Sequence, residues 1–240
     1  MDIALLSSEG CFFLLRWLHF LAGITWIGLL YYFNFVQVPF MGEAGTEAGR
    51  PIVTRFLAPR ALWWFRWGAM LTFLSGLTYL GLWVAKGGSA LLSQNWGVTI
   101  QTGALLGTIM FLNVWLVIWP NQRIIINSAN AVAGGGAADP AAGPAAPKAF
   151  LASRTNTLFS IPMLFFMGSA SHLNIIGEGE HAMVPTGIIV AIIALLEGNA
   201  LMGKRNEGIS KILEKPVTVI HAGLGLALVF YLLLEFLSTK

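Results

Sequence analysis

A single cysteine, Cys11, stands in a chain of 240 residues. One thiol excludes an intrachain disulfide, cysteine-ligated iron–sulfur clusters and a Cys-x-x-Cys-His attachment, so any haem is held noncovalently. Charge is also scarce: Asp, Glu, Lys and Arg make up 10% of the residues and sum to +3. So small and scattered a charge excludes a nucleic-acid partner. Nucleophile triads, a Walker loop and a dinucleotide fingerprint are missing too. Gly134-Gly-Gly136 has no strand before it and is no phosphate cradle. These absences favour redox chemistry or assembly over hydrolysis.

What the chain has in excess is apolar surface. Hydrophobic residues make up 56% of it, more than a water-soluble domain hides, which predicts an all-α integral membrane protein. Crossing a hydrocarbon layer of about 30 Å takes roughly 20 helical residues. Six stretches qualify, near 11–37, 61–86, 97–121, 153–176, 183–203 and 215–238, and none alternates as an outer-membrane strand does. The first has no basic region before it and no cleavage site after it, so it is expected to stay as a helix rather than act as a signal peptide.

Basic residues set the expected orientation. Arg50, Arg55, Arg60, Arg123, Lys148, Arg154, Lys204, Arg205, Lys211 and Lys215 fall in or beside the first, third and fifth connections. Only Lys86 and Lys240 lie on the other side, apart from Arg16 at the start of the first span. Positive charge stays in the cytoplasm, so the expectation is a bundle of about six helices in the bacterial cytoplasmic membrane with both termini periplasmic. Residues 38–60, with Pro39, Pro51 and Pro59, read as a loop carrying one short interfacial helix. The tract 129–148, rich in Ala, Gly and Pro, reads as a flexible linker between two three-helix halves of a single membrane domain, 1–240.

Polar groups in lipid cost a few kcal/mol each, about 3 for a charged one, and so mark the bundle interior or a site. His19 lies about 12 Å below the outer boundary and His172 about 7 Å below it, at about 1.5 Å per residue. Two imidazoles at similar depth on different helices suit the iron of a b-type haem, with Trp26 a bulky neighbour two turns below His19. Helix-to-helix hydrogen bonding fits each histidine equally well. His221 starts the last span far from that pair and would need a different partner. Nearer the inner face lie Asn34, Arg66, Asn113, Arg154, Asn156 and Glu197. Glu197 is the one acidic residue well inside a span, and it calls for an Arg partner, Arg66 or Arg154, or for a bound proton. Such a cluster is either a register-fixing ion pair or a pocket for an anion, a quinone head or a proton path. Seven tryptophans near helix ends read as an interfacial belt, and glycines 23, 28, 103, 107, 223 and 225 allow close helix contact.

Three segments carry a resemblance: Trp17-Leu-His-Phe-Leu-Ala-Gly-Ile-Thr-Trp-Ile-Gly28, Asn113-Val-Trp-Leu-Val-Ile-Trp-Pro-Asn-Gln-Arg123, and Ala152-Ser-Arg-Thr-Asn-Thr-Leu-Phe-Ser-Ile-Pro-Met-Leu-Phe-Phe-Met167 with His172 just beyond. Together they resemble the membrane-embedded N-terminal domain of the bacterial cytochrome-c-linked urate oxidases, over nearly the whole chain except the linker. The resemblance implies urate as electron donor and a periplasmic cytochrome c as acceptor. In that family a c-type cytochrome domain follows the membrane domain; here no Cys-x-x-Cys-His follows, so the acceptor is expected to be a separate protein. The same departure keeps open a second role, a non-catalytic accessory subunit of a respiratory or photosynthetic membrane complex.

Overall fold

The computed structural model describes residues 3–239, and over them the chain is helical. Lys240, counted above among the outer charges, lies outside the described residues. Six long helices follow one another: α1 Ser8–Gly42, α2 Arg50–Gly87, α3 Asn95–Ala133, α4 Ala142–Ser169, α5 Met183–Met202 and α6 Pro216–Leu237. All except α4 are long and apolar enough to cross a membrane. Helix α4 is the hub, touching α1, α3, α5 and α6, with Leu151, Phe159 and Phe166 in the core. Its lower apolarity has a cause: Arg154, Thr155, Asn156, Thr157 and Ser160 are all buried, and the other helices screen them from lipid.

Helices α1, α2 and α3 are 35, 38 and 39 residues long. At about 1.5 Å per residue each exceeds 50 Å, well beyond the roughly 30 Å of a hydrocarbon core. Their surplus lies at one end of the bundle, where Arg55 Nε on α2 donates to Asn130 Oδ1 on α3 at 3.1 Å. Two expected breaks are helix instead. The predicted loop 38–60 shrinks to 43–49, and the predicted linker 129–148 shrinks to 134–141 between the ends of α3 and α4. Proline explains both. Pro51 and Pro144 occupy first turns, where no intrahelical N–H is needed. Pro39, Pro59 and Pro120 each sit two residues beyond a wide π turn, Tyr32–Gln37, Val53–Leu57 and Asn113–Ile118. A missing N–H and a ring pressing on the preceding turn are relieved by widening the helix rather than ending it. Asp139 closes the remaining turn. Its Oδ1 accepts from Ala141 N at 2.8 Å and its own N–H donates to Ser128 Oγ at 3.0 Å.

The predicted fourth span, 153–176, is displaced: α4 ends at Ser169, and 170–182 is a connection. Asn95 pins that connection, accepting from the N–H groups of Ile175 and Ile176 and donating to Leu173 O. A two-residue bridge between His181 and Thr239 ties it to the end of α6. Close helix contact uses small residues selectively. A Cβ at Gly68 would lie 3.1 Å from Trp26 N, one at Gly103 3.1 Å from Met167 N, and one at Gly223 3.1 Å from Leu158 O. Gly28 and Gly225, expected at contacts, face open space.

Candidate functional site

The polar residues divide into separate sets. On the α1/α2 hairpin, His19 Nδ1 lies 2.9 Å from the Thr72 carbonyl and 3.3 Å from Ser75 Oγ. A carbonyl only accepts, so Nδ1 carries the hydrogen and the imidazole presents Nε2 as its free nitrogen. Gly76 makes the space: a Cβ there would stand 2.8 Å from His19 Cε1. Trp26, two turns on, is 2% exposed, and its indole N–H is buried without a partner.

A second set ties α3, α4 and α5. The Asn113 amide donates to Asn156 Oδ1 at 2.9 Å and to Glu197 Oε2 at 3.0 Å, while Asn156 Nδ2 donates to Met110 O at 2.9 Å. Asn113 opens the π turn before Pro120, so the widened turn sits beside the network. Asn34, inside the π turn of α1, donates to Leu30 O at 2.9 Å and to Ser153 Oγ at 2.8 Å. One helical level away, Tyr31 Oη and Ser160 Oγ are 2.9 Å apart. Each link joins a peripheral helix to α4 or, through Asn113, to both α4 and α5.

Neither arginine pairs with Glu197, contrary to the expectation from sequence. The Arg66 guanidinium lies over the Trp119 ring at 3.9 Å and near Trp115 at 5.9 Å, a cation–π clasp between α2 and α3. Arg154 is 1% exposed, with Nε and Nη1 free of partners, and its guanidinium lies 5.3 Å from the Phe150 ring. Arg205 covers Phe150 at 3.8 Å and holds Glu214, Nε to Oε1 at 3.2 Å. Arg205's hydrogen bond and charge, with lesser help from the Asn206 N–H and the Arg154 charge, hold the Glu214 carboxyl below the usual carboxylate range against the opposing effect of burial. The acid well inside a span therefore accepts from an amide, while Arg66 lies against aromatic faces and Arg154 keeps buried N–H groups without partners.

The three histidines expected near a haem lie in different settings. His172 is exposed in the connection after α4, its backbone N–H donating to Ser169 O, and His221 is exposed on α6.

A family model described as "Urate oxidase N-terminal" matches residues 87–228. The chain belongs to the urate oxidase N-terminal family. The match covers α3 through the first part of α6, and with them the Asn113–Asn156–Glu197 network, Arg154, His172 and His221. It runs straight through the tract read as a linker. It does not include α1 or nearly all of α2, so His19, Trp26, Asn34 and Arg66 lie outside it, and the family resemblance is narrower than the sequence motifs imply. No curated protein and no solved structure matches this urate oxidase N-terminal domain.

Which residues fit a haem follows from their donor atoms. His19 does: a backbone carbonyl fixes its tautomer and ring angle, the arrangement that orients metal-bound imidazoles. His172 and His221, on exposed surfaces without an orienting partner, give no such indication. Sequence reading missed three things here: Thr72 and Gly76 as the seat of His19, Ser153 and Ser160 as partners of α1, and the aromatic clasp on Arg66. The repeated π-turn-then-proline arrangement was the available signal for the last turns of α1 and α3.

Proposed function

We propose that this urate oxidase N-terminal family protein is a membrane oxidoreductase domain that takes electrons from a urate-class donor. In this reading the six helices span the bacterial cytoplasmic membrane with both termini on the periplasmic face and the surplus of α1 to α3 in the cytoplasm, where the arginines and lysines concentrate. His19 holds a b-type haem through Nε2, near the outer face, and a periplasmic cytochrome c receives the electrons. When bound, haem supplies one-electron transfer. The chain's own part is to present a neutral, oriented imidazole in an apolar setting and to keep water away. Its support is the His19–Thr72 hydrogen bond seated on Gly76, joined to the family membership.

The test is an absorption spectrum of purified protein with extractable haem measured beside it. A Soret band lost in His19→Ala but kept in His172→Ala fits; no Soret band, or one indifferent to His19→Ala, refutes it.

The accessory-subunit reading draws on a different observation: His172 and His221 are both exposed, as they could be in a copy without a redox group. Gentle solubilisation separates the readings, since a subunit travels in a larger particle and a haem-free monomer does not fit either role.

A further inference from the structure

Helices α4, α5 and α6 and the short 3-10 segment Gly208–Leu213 enclose a cavity of about 200 Å³. Its walls are apolar, among them Leu158, Leu196, Leu213 and Leu226, with two exceptions, Thr155 and Asn199. Both exceptions carry a buried polar atom without a hydrogen-bond partner, Thr155 Oγ1 and Asn199 Nδ2, and Thr155 is 1% exposed. The Asn199 amide is engaged at one end. Ser210 Oγ donates to its Oδ1 at 3.2 Å, which leaves the N–H₂ as the unused end. Two buried polar groups in an otherwise apolar hole lack partners, which is costly to leave unmade.

The mouth shows where an acceptor would come from. Ile212, in the 3-10 segment, and Val229, on α6, both line the cavity and are each 44% exposed, and for α6 that exposed face is the lipid side. We propose that this cavity binds the ring of a lipid-soluble quinone, its carbonyl oxygens accepting from Thr155 and Asn199 and its tail leaving past Ile212 and Val229. A flat ring with two neutral acceptors matches two donors and a volume of this size. A phospholipid would have to bring a charged head and two chains. The site is distinct from His19 and its occupancy does not depend on haem there.

The experiment is calorimetric titration of the purified full chain in detergent with decylubiquinone, alongside decylbenzene, which has the same tail length without carbonyls, and a short-chain phosphatidylcholine as competitor. Saturable one-to-one binding of the quinone alone is expected. Thr155→Val, which keeps the shape and removes the hydroxyl, and Asn199→Leu should each weaken it about fivefold to tenfold, and Ala222→Phe, which fills the hole, should abolish it. Without ligand, Thr155→Val should unfold at the same or a higher temperature than the parent, because a stranded donor has gone. The proposal is overturned by absent or unsaturable binding, by decylbenzene binding as tightly, by displacement of the quinone by equimolar phosphatidylcholine, or by Thr155→Val binding like the parent.

Discussion

Replacing Asn113 by Leu removes a side chain on α3 that hydrogen-bonds to both α4 and α5. Two hydrogen bonds go, to Asn156 Oδ1 and Glu197 Oε2. Side-chain hydrogen bonds between membrane helices average about 0.6 kcal/mol and reach about 1.7; adding the cost of stranding a buried amide and a carboxylate brings the loss to about 2–3 kcal/mol. For a chain of this size that lowers the thermal midpoint by about 4–12 °C, at roughly 2–4 °C per kcal/mol. Glu197→Gln is the companion, because a glutamine oxygen still accepts from Asn113; its effect should stay below about 0.5 kcal/mol. The assay is thermal or denaturant unfolding in mild detergent, followed by circular dichroism, and the double mutant completes the cycle. A loss below about 0.5 kcal/mol for Asn113→Leu, or Glu197→Gln as damaging as Asn113→Leu, would refute the claim that this amide fastens α3 to α4 and α5.

The single thiol reports orientation. Cys11 is exposed in the first turns of α1, so a membrane-impermeant maleimide should label it in spheroplasts, and labelling only after lysis would reverse the topology. Gly223→Val places a side chain against Leu158 O and Ile161; overpacking of this kind costs about 1–3 kcal/mol, and a variant as stable as the parent would contradict the close α4–α6 contact. Arg205 and its neighbours lower the folded-state value of Glu214, so the carboxylate's contribution is present above the unfolded value of about 4.3 and is lost as pH falls through the lower folded one. The stability difference between parent and Glu214→Gln should therefore be flat at neutral pH and shrink in acid; a difference that grows in acid has the wrong sign.

Apolar runs made α1, α2, α3, α5 and α6 legible, because run length alone distinguishes them. Helix α4 was placed some ten residues late at its start: its first turns are the Ala, Gly and Pro of 142–147, whose composition resembles coil, while tertiary contact holds Ala145 and Ala149 in the core. The helix also ends at Ser169 rather than near 176, which places His172 in a connection instead of a span. Asn113, Asn156 and Glu197 were recognisable as a cluster because burying them is costly, whereas their partners were not. Coulombic reasoning pairs Glu197 with an arginine, but among the described residues Arg66 and Arg154 form no ion pair with it and lie against aromatic rings instead. Prolines 39 and 59 read as loop residues; in the fold they follow widened π turns within continuous helices, as Pro120 does inside the third span, an outcome that depends on the packing around them and not on the residue alone.

Whether this domain carries electrons from urate is tested most directly by adding urate to the purified protein without oxygen and recording the difference spectrum. The account predicts a reduced b-type haem band that appears with urate and is absent in His19→Ala. A protein whose haem band appears with dithionite but never with urate, or which has none at all, would contradict it.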